Sequence, residues 1–287
     1  VRTQKAQRKD VLGGSCTYFA AAASFLAPVR VCAAVGADFP KKYVKLMEKF
    51  DVDLAGLQIL KGEKTFRWAG TYAANMNDRT TDKLEFGALG CFNPVLPAAY
   101  RKTGALFLAT AVPAVQLKVM DQMEKRPITL CDTIDFYIKN DNKGVRQVLK
   151  RVDGAILNDS EAMLLTGEGN AVAAAKAIAK FGPKFAIVKK GEHGALLAYG
   201  KEIFPVPAYP LEKVADPTGA GDSFAGGVMG WIAKKGNTKV STLREALAYG
   251  TAAASFTCEA FSLDKLCAIK AKDVVARAAN FKKITAI

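Results

Sequence analysis

The sequence predicts an α/β fold, a three-layer α/β/α arrangement with a mostly parallel central sheet and a small β lid. Short apolar runs rich in β-branched residues alternate with Ala- and Lys-rich segments of helical period, the order of a parallel sheet joined by crossover helices. Residues 62–90 break that alternation, because Thr65-Phe66-Arg67-Trp68-Ala69-Gly70-Thr71-Tyr72 alternates polar and apolar side chains ahead of a polar turn, as antiparallel strands exposed on one face do; on the residues alone the piece fits an ordinary edge hairpin as well as a lid over a pocket. Beyond residue 216 the chain reads as almost wholly helical.

Taken in order, residues 15–27 predict a helix. The apolar stretch over 18–29 contains Pro28 and falls well short of the ~20 residues a membrane span needs, so it belongs in the core. A strand follows at 29–35 and a helix at 41–50, before the lid. The next units are a strand at 105–109, a helix at 113–124, a strand at 128–131 and a helix at 144–151. A strand at 154–157, helices at 160–165 and 171–181, and strands at 185–189 and 195–198 complete the alternating part. Helices at 219–235, 242–258 and 271–282 close the chain. With 287 residues, half of them hydrophobic, the chain is long enough for one main domain with a large core.

Composition narrows the function. Six cysteines without a C-x-x-C pair fit a reducing compartment, either cytoplasm or an organellar matrix. The single histidine, His193, lies between glycines and has no second histidine with which to build a zinc site. The net charge of +14 is spread over separate pairs such as Lys41-Lys42 and Lys234-Lys235, without interleaved aromatics. We read it as a solvated basic surface rather than a nucleic-acid face.

The chemistry concentrates in Asp216-Pro217-Thr218-Gly219-Ala220-Gly221-Asp222-Ser223-Phe224, which opens a helix of small residues. A helix N-terminus offers unpaired N–H groups and a partial positive charge, and the two glycines leave those groups uncovered, so an anion can sit there. A carboxylate in such a place is useful when it takes a proton from a group approaching a phosphate. The plain alternative is that Asp216 and Asp222 only cap the helix.

This D-P-T-G-A-G-D string resembles the C-terminal signature of the ribokinase-like (PfkB-type) carbohydrate kinases. Val11-Leu12-Gly13-Gly14-Ser15 looks like the family's N-terminal glycine pair, Asn158-Asp159-Ser160-Glu161 matches its N-x-x-E motif, and Lys189-Lys190-Gly191-Glu192-His193-Gly194 looks like its nucleotide-bordering loop. Taken singly, each has an ordinary structural explanation: tight packing, a helix cap and a turn.

The resemblance implies a ribokinase-like domain over the whole chain, ATP and Mg²⁺ as cofactors, and a sugar, polyol or nucleoside acceptor. It implies Asp222 as general base and the N–H groups of Gly219, Ala220 and Gly221 as the anion hole. Asn158 and Glu161 would order hydrated Mg²⁺, and Lys189, Gly191, Gly194 and Ser255 would border ATP. Gly13, Gly14 and Ser15 would face the acceptor, with Arg67, Asn75 and Asp132 as further candidate contacts.

Members of the family open with a strand whose Asp binds the acceptor. Residues 1–10 do not read as that strand: either it lies upstream of residue 1, or it is absent, and with it a sheet strand and an acceptor ligand. A second reading is therefore a kinase-derived structural subunit, using its basic surface in a larger organellar or ribonucleoprotein assembly. The intact Asp222, Asn158 and Glu161 favour the enzyme, either free or as a homodimer through the lid.

Overall fold

A computed structural model describes residues 1–4 and 6–286. The first part of the chain comprises α1 (Ser15–Ser24), β1 (Val29–Gly36), α2 (Lys41–Glu48), β2 (Val52–Leu60), β3 (Arg67–Tyr72) and β4 (Arg79–Glu85). The middle comprises β5 (Ala105–Leu108), α3 (Pro113–Asp121), β6 (Ile128–Cys131), α4 (Asp135–Asn140), α5 (Asn142–Leu149), β7 (Gly154–Asn158), α6 (Asp159–Thr166) and α7 (Ala171–Ile178). Then follow β8 (Phe185–Lys189), β9 (Ala195–Tyr199), β10 (Glu202–Val206), α8 (Ala220–Lys235), α9 (Val240–Cys258), α10 (Asp264–Cys267) and α11 (Ala271–Ile284).

The main sheet runs β10-β9-β8-β7-β6-β5, with β5 to β8 parallel and β9 and β10 antiparallel. Its middle strands are buried on both faces, which is why Gly154-Ala155-Ile156-Leu157 and Phe185-Ala186-Ile187-Val188 read as unbroken apolar runs. One face packs a cluster that includes Val148, Leu149, Leu157, Leu165, Ile178 and Val188, beneath α3 to α7. The other packs Ile156, Ile187, Leu197, Phe224, Val228 and Leu247 beneath α8 and α9. A third cluster joins α1, β1, α9 and α11 through Tyr18, Val31, Phe256 and Phe281.

The parallel pair β1–β2 stands as a separate two-stranded sheet, since among the described residues β1 forms no ladder with the six-stranded one. The free edges of β1 and β5 both line one large cleft. Strands β3 and β4 form the expected antiparallel hairpin, and Arg2 adds backbone bonds of 3.0 Å to Gly70 and to Tyr72 at its edge.

Close approach of α1 and α8 positions the site. A Cβ on Gly226 would lie 2.4 Å from the Phe19 carbonyl oxygen and 3.0 Å from the Ala22 Cβ. The Ala-rich face of α1 and the glycines of α8 thus let two backbones meet, and that contact brings Ser15 at the start of α1 beside the start of α8.

Candidate active site

The cleft has a volume of about 1960 Å³ and collects residues from the ends of several parallel strands, the start of α1, the start of α8 and the β3–β4 hairpin. Ligand sites of open α/β sheets lie at the carboxyl ends of the strands.

The turn into α8 is shaped before the helix begins. Asp216 is 1 % exposed, and its carboxylate accepts the Thr218 N–H at 2.9 Å. Burial pushes this acid above its ordinary value, so Asp216 is the structural member of the string. Gly219 then adopts φ +80°, and a Cβ there would fall 2.3 Å from the Tyr18 ring. Both the left-handed backbone and the ring contact demand glycine.

The turn leaves donors free, though not the full set expected. The Ala220 N–H is spent on the Pro217 carbonyl at 3.1 Å, whereas those of Gly219, Gly221 and Asp222 have no hydrogen-bond partner among the described residues. Of the three amides expected to form an anion hole, that of Ala220 closes the turn, and Asp222 carries a further N–H without a partner among the described residues.

The Asp222 side chain accepts a hydrogen bond from Ser15. Burial, opposed by the nearby Lys189 ammonium and reinforced by Asp132, raises its pKa to about 6. A carboxylate with that pKa is ionised at neutral pH yet a stronger base than an ordinary aspartate, as general-base chemistry needs. Gly13 and Gly14 line the same cleft, and the Gly14 carbonyl accepts the Thr17 and Tyr18 amides to start α1.

At the end of β7, Asn158 and Glu161 form a capping box. The Asn158 Oδ1 accepts the Glu161 amide at 2.7 Å, and the Glu161 Oε2 accepts the Asn158 amide at 2.9 Å. Both residues line the cleft, so the cap and the proposed metal role involve the same atoms. Burial, with Asp132 nearby, raises the Glu161 pKa to about 7. Among the described residues no cluster of three or more His, Cys, Asp or Glu side chains surrounds a cation position. One buried carboxylate beside an amide oxygen does suit Mg²⁺, which keeps several waters and takes its other oxygens from phosphates.

Lys189 and Gly191 line the cleft, whereas Gly194 and Ser255 do not. Gly194 serves packing, since a Cβ would sit 2.1 Å from the Val206 carbonyl oxygen. Ser255 is buried on α9, donating to the Ala252 carbonyl at 2.8 Å and accepting from Arg277 at 2.9 Å. The further acceptor candidates also take other roles: Arg67 pairs with Asp10 at 2.6 Å, Asn75 organises the hairpin turn through Asn77 and Asp78, and Asp132 pairs with Lys189 at 2.8 Å.

The hairpin reaches both ends of the site. Thr218 donates to the Tyr72 hydroxyl at 3.2 Å, and the Asn77 amide donates to Glu192 at 2.8 Å. Arg79, at the start of β4, lines the cleft and lowers the pKa of both Asp222 and Glu161. Sequence reasoning missed it, because one arginine after a polar turn carries no local signal. Phe66, Phe86 and Phe136 also line the cleft, with ring centroids 6.5 Å and 5.8 Å apart in succession.

Comparisons with known proteins bear on the fold and the family. The family model for pfkB family carbohydrate kinases matches residues 1–268. The cytidine kinase of Thermococcus kodakarensis is 29% identical over 235 residues, 78% of this chain and 81% of that protein. The nucleoside kinase of Methanocaldococcus jannaschii, an archaeal member of the ribokinase family, shares the fold with TM-score 0.75 and 22% identity, covering 94% of this chain and 87% of its own. A ribokinase II from E. coli, solved with ATP and Mg²⁺, gives TM-score 0.77 at 19% identity, covering 95% and 90% of the two chains. No helix among the described residues is long and apolar enough to cross a membrane. A family match spanning nearly the whole chain, over a ribokinase fold whose cleft gathers the D-P-T-G-A-G-D turn, the glycine pair and the N-x-x-E motif, establishes that this chain belongs to the pfkB family of carbohydrate kinases, phosphotransferases that act on hydroxyl acceptors.

Proposed function

We propose that this chain transfers the γ-phosphoryl group of ATP to a hydroxyl of a sugar-like acceptor, with Asp222 as general base, and that the acceptor is a nucleoside. The observation that carries the base assignment is the position of Asp222. It lies at the floor of the cleft, held by Ser15 and raised to a pKa of about 6, beside amides of the α8 turn that have no partner among the described residues. Asp222 accepts the proton as the acceptor oxygen bonds to the γ-phosphorus. The bond from that phosphorus to the β,γ-bridging oxygen breaks, and ADP departs with the electron pair.

The amides of Gly219, Gly221 and Asp222 point their N–H dipoles at the group being transferred, where preorganised donors lower the barrier most. Asn158 and Glu161 would hold hydrated Mg²⁺, which neutralises phosphate charge when bound. Lys189 and Gly191 border the nucleotide. The β3–β4 hairpin serves as the lid, latched through Tyr72 to Thr218 and through Asn77 to Glu192, so that water is kept from the phosphoryl group.

The nucleoside assignment rests on Phe66, Phe86 and Phe136, a run of aromatic rings in the wall of the cleft that gives a planar base more stacking area than a sugar alone has. The cytidine kinase relative supports the same class. Incubation with ATP, Mg²⁺ and a panel of nucleosides, pentoses, hexoses and polyols, read by mass spectrometry of the phosphorylated product, tests it. A nucleoside monophosphate is expected as the main product. A preference for a free sugar refutes the nucleoside assignment, and no product from the whole panel refutes the phosphotransfer reading.

A further inference from the structure

Lys189 is the last residue of β8, paired in register with Asn158 of β7, and its side chain reaches across the end of β7 to Asp132, which follows β6. The ion pair measures 2.8 Å, with the side chains 15% and 7% exposed. Asp132 is itself fixed: its Oδ1 accepts the Thr133 amide at 2.8 Å, and its carbonyl accepts from Gln116 at 3.0 Å. A long, flexible side chain has been clamped into one place at the mouth of three parallel strands.

Where that place lies is the informative part. A Cβ on Gly221 would come 3.3 Å from the Lys189 Nζ, so the ammonium rests against the backbone of the turn that offers its free amides to the cleft. An ammonium has three N–H donors. Among the described residues one is used, toward Asp132, and the group lines the cleft. Around it stand three carboxylates: Asp132, Glu161 and Asp222. A site with three carboxylates that must receive a polyanion needs a fixed cation of its own, because each carboxylate repels the incoming phosphates. Arg79 is exposed and stands on the hairpin, so Lys189 is the buried cation at this point.

We propose that Lys189 is a catalytic residue: its ammonium contacts the phosphoryl group as it passes over the Gly219–Gly221 turn, and Asp132 is the positioning residue that keeps it there and off Asp222. This goes beyond bordering the nucleotide, and it rests on the phosphotransfer reading above. Burial by itself would favour the neutral amine, but the attraction of Asp132, Glu161 and Asp222 outweighs it and holds the lysine protonated. The ammonium stays a cation throughout and transfers no proton. Its contribution grows as charge spreads over the phosphoryl oxygens, so it belongs to kcat more than to ground-state ATP binding.

The test compares wild type with Lys189→Met, Lys189→Arg and Asp132→Asn. It uses steady-state phosphorylation of the best acceptor, the affinity for MgATP, and the affinity for ADP with aluminium fluoride as a mimic of the phosphoryl group in flight. Lys189→Met is expected to lower kcat about 10²-fold or more, with acceptor KM and MgATP affinity within a few-fold of wild type and with the gain in affinity for the aluminium fluoride mimic abolished. Lys189→Arg should restore part of kcat, and Asp132→Asn should fall between. A lysine that only holds the fold would lower the active fraction of enzyme while leaving the ratio of mimic to ATP affinity unchanged, and that result overturns the proposal. So does a Lys189→Met variant with kcat within about threefold of wild type, in which case the phosphotransfer reading survives. A wild type inactive with every acceptor refutes that reading, and the catalytic role of Lys189 with it.

Discussion

Replacing Asp222 by Asn should make the protein more stable while removing its base. Burial raises this carboxyl from 3.8 to about 6, net of the attraction to Lys189 and the bond from Ser15. A folded-state pKa above the unfolded value means that the folded protein binds the proton more tightly. The stability so contributed is present in full below the unfolded pKa and is lost as pH rises through the folded one. A shift of about two units corresponds to about 3 kcal/mol, so near pH 8 the wild type carries a penalty of that order that a neutral amide does not. Asn keeps the shape and can still accept from Ser15. Urea denaturation of wild type and Asp222→Asn near pH 8 and near pH 5 measures it. The variant is expected to be more stable by up to about 3 kcal/mol at the higher pH, and by about half as much at the lower. A variant that is less stable near pH 8, or an advantage that does not shrink toward pH 5, would refute the claim that this carboxylate is held ionised against its surroundings.

Two further outcomes follow from the same geometry. The pH profile of kcat should show an acid limb with an apparent pKa near 6, activity falling about tenfold per pH unit below it as Asp222 is protonated; a limb near 4 would mean that the base is an ordinary exposed carboxylate. Gly226→Ala should cost about 1–3 kcal/mol in denaturant unfolding, since the new methyl meets the Phe19 carbonyl at 2.4 Å, and an unchanged midpoint would contradict the backbone contact of α1 with α8.

The parts of the fold that the sequence announces are those where one physical rule acts alone. Strands β7 and β8 are buried on both sides, so continuous apolar runs mark them. Strand β3 has one covered side, so alternation marks it, whereas β4 is exposed throughout and is held by its pairing with β3. Strand β2 escaped because Gly56 and Gln58 interrupt its apolar pattern, and β10 because Pro205 argues against a strand, although an edge position tolerates it. Helix α4, six residues long, is too short for a period to show.

The site divides in the same way. Asp222, Gly219 and Gly221 were legible as candidates because adjacent residues in one motif share one turn, whereas Ser15 meets Asp222 only through the packing of α1 on α8. The pair Lys189–Asp132 spans 57 residues, and only the order β6-β7-β8 brings its members together. Ser255 was misplaced because a small residue on a helix looks the same whether it faces a cleft or, as here, Arg277. That the Ala220 amide closes the turn was not legible, because sequence shows which amides a turn contains but not which one bonds back.

The central claim is that this cleft transfers phosphate and that Asp222 takes the proton. The most direct measurement incubates wild type and Asp222→Asn with γ-labelled ATP, Mg²⁺ and the best acceptor, and follows label appearing in the acceptor. The account predicts stoichiometric transfer by wild type and a loss of about 10²-fold or more in the variant, with MgATP still bound. Transfer by Asp222→Asn at a rate close to wild type would contradict it.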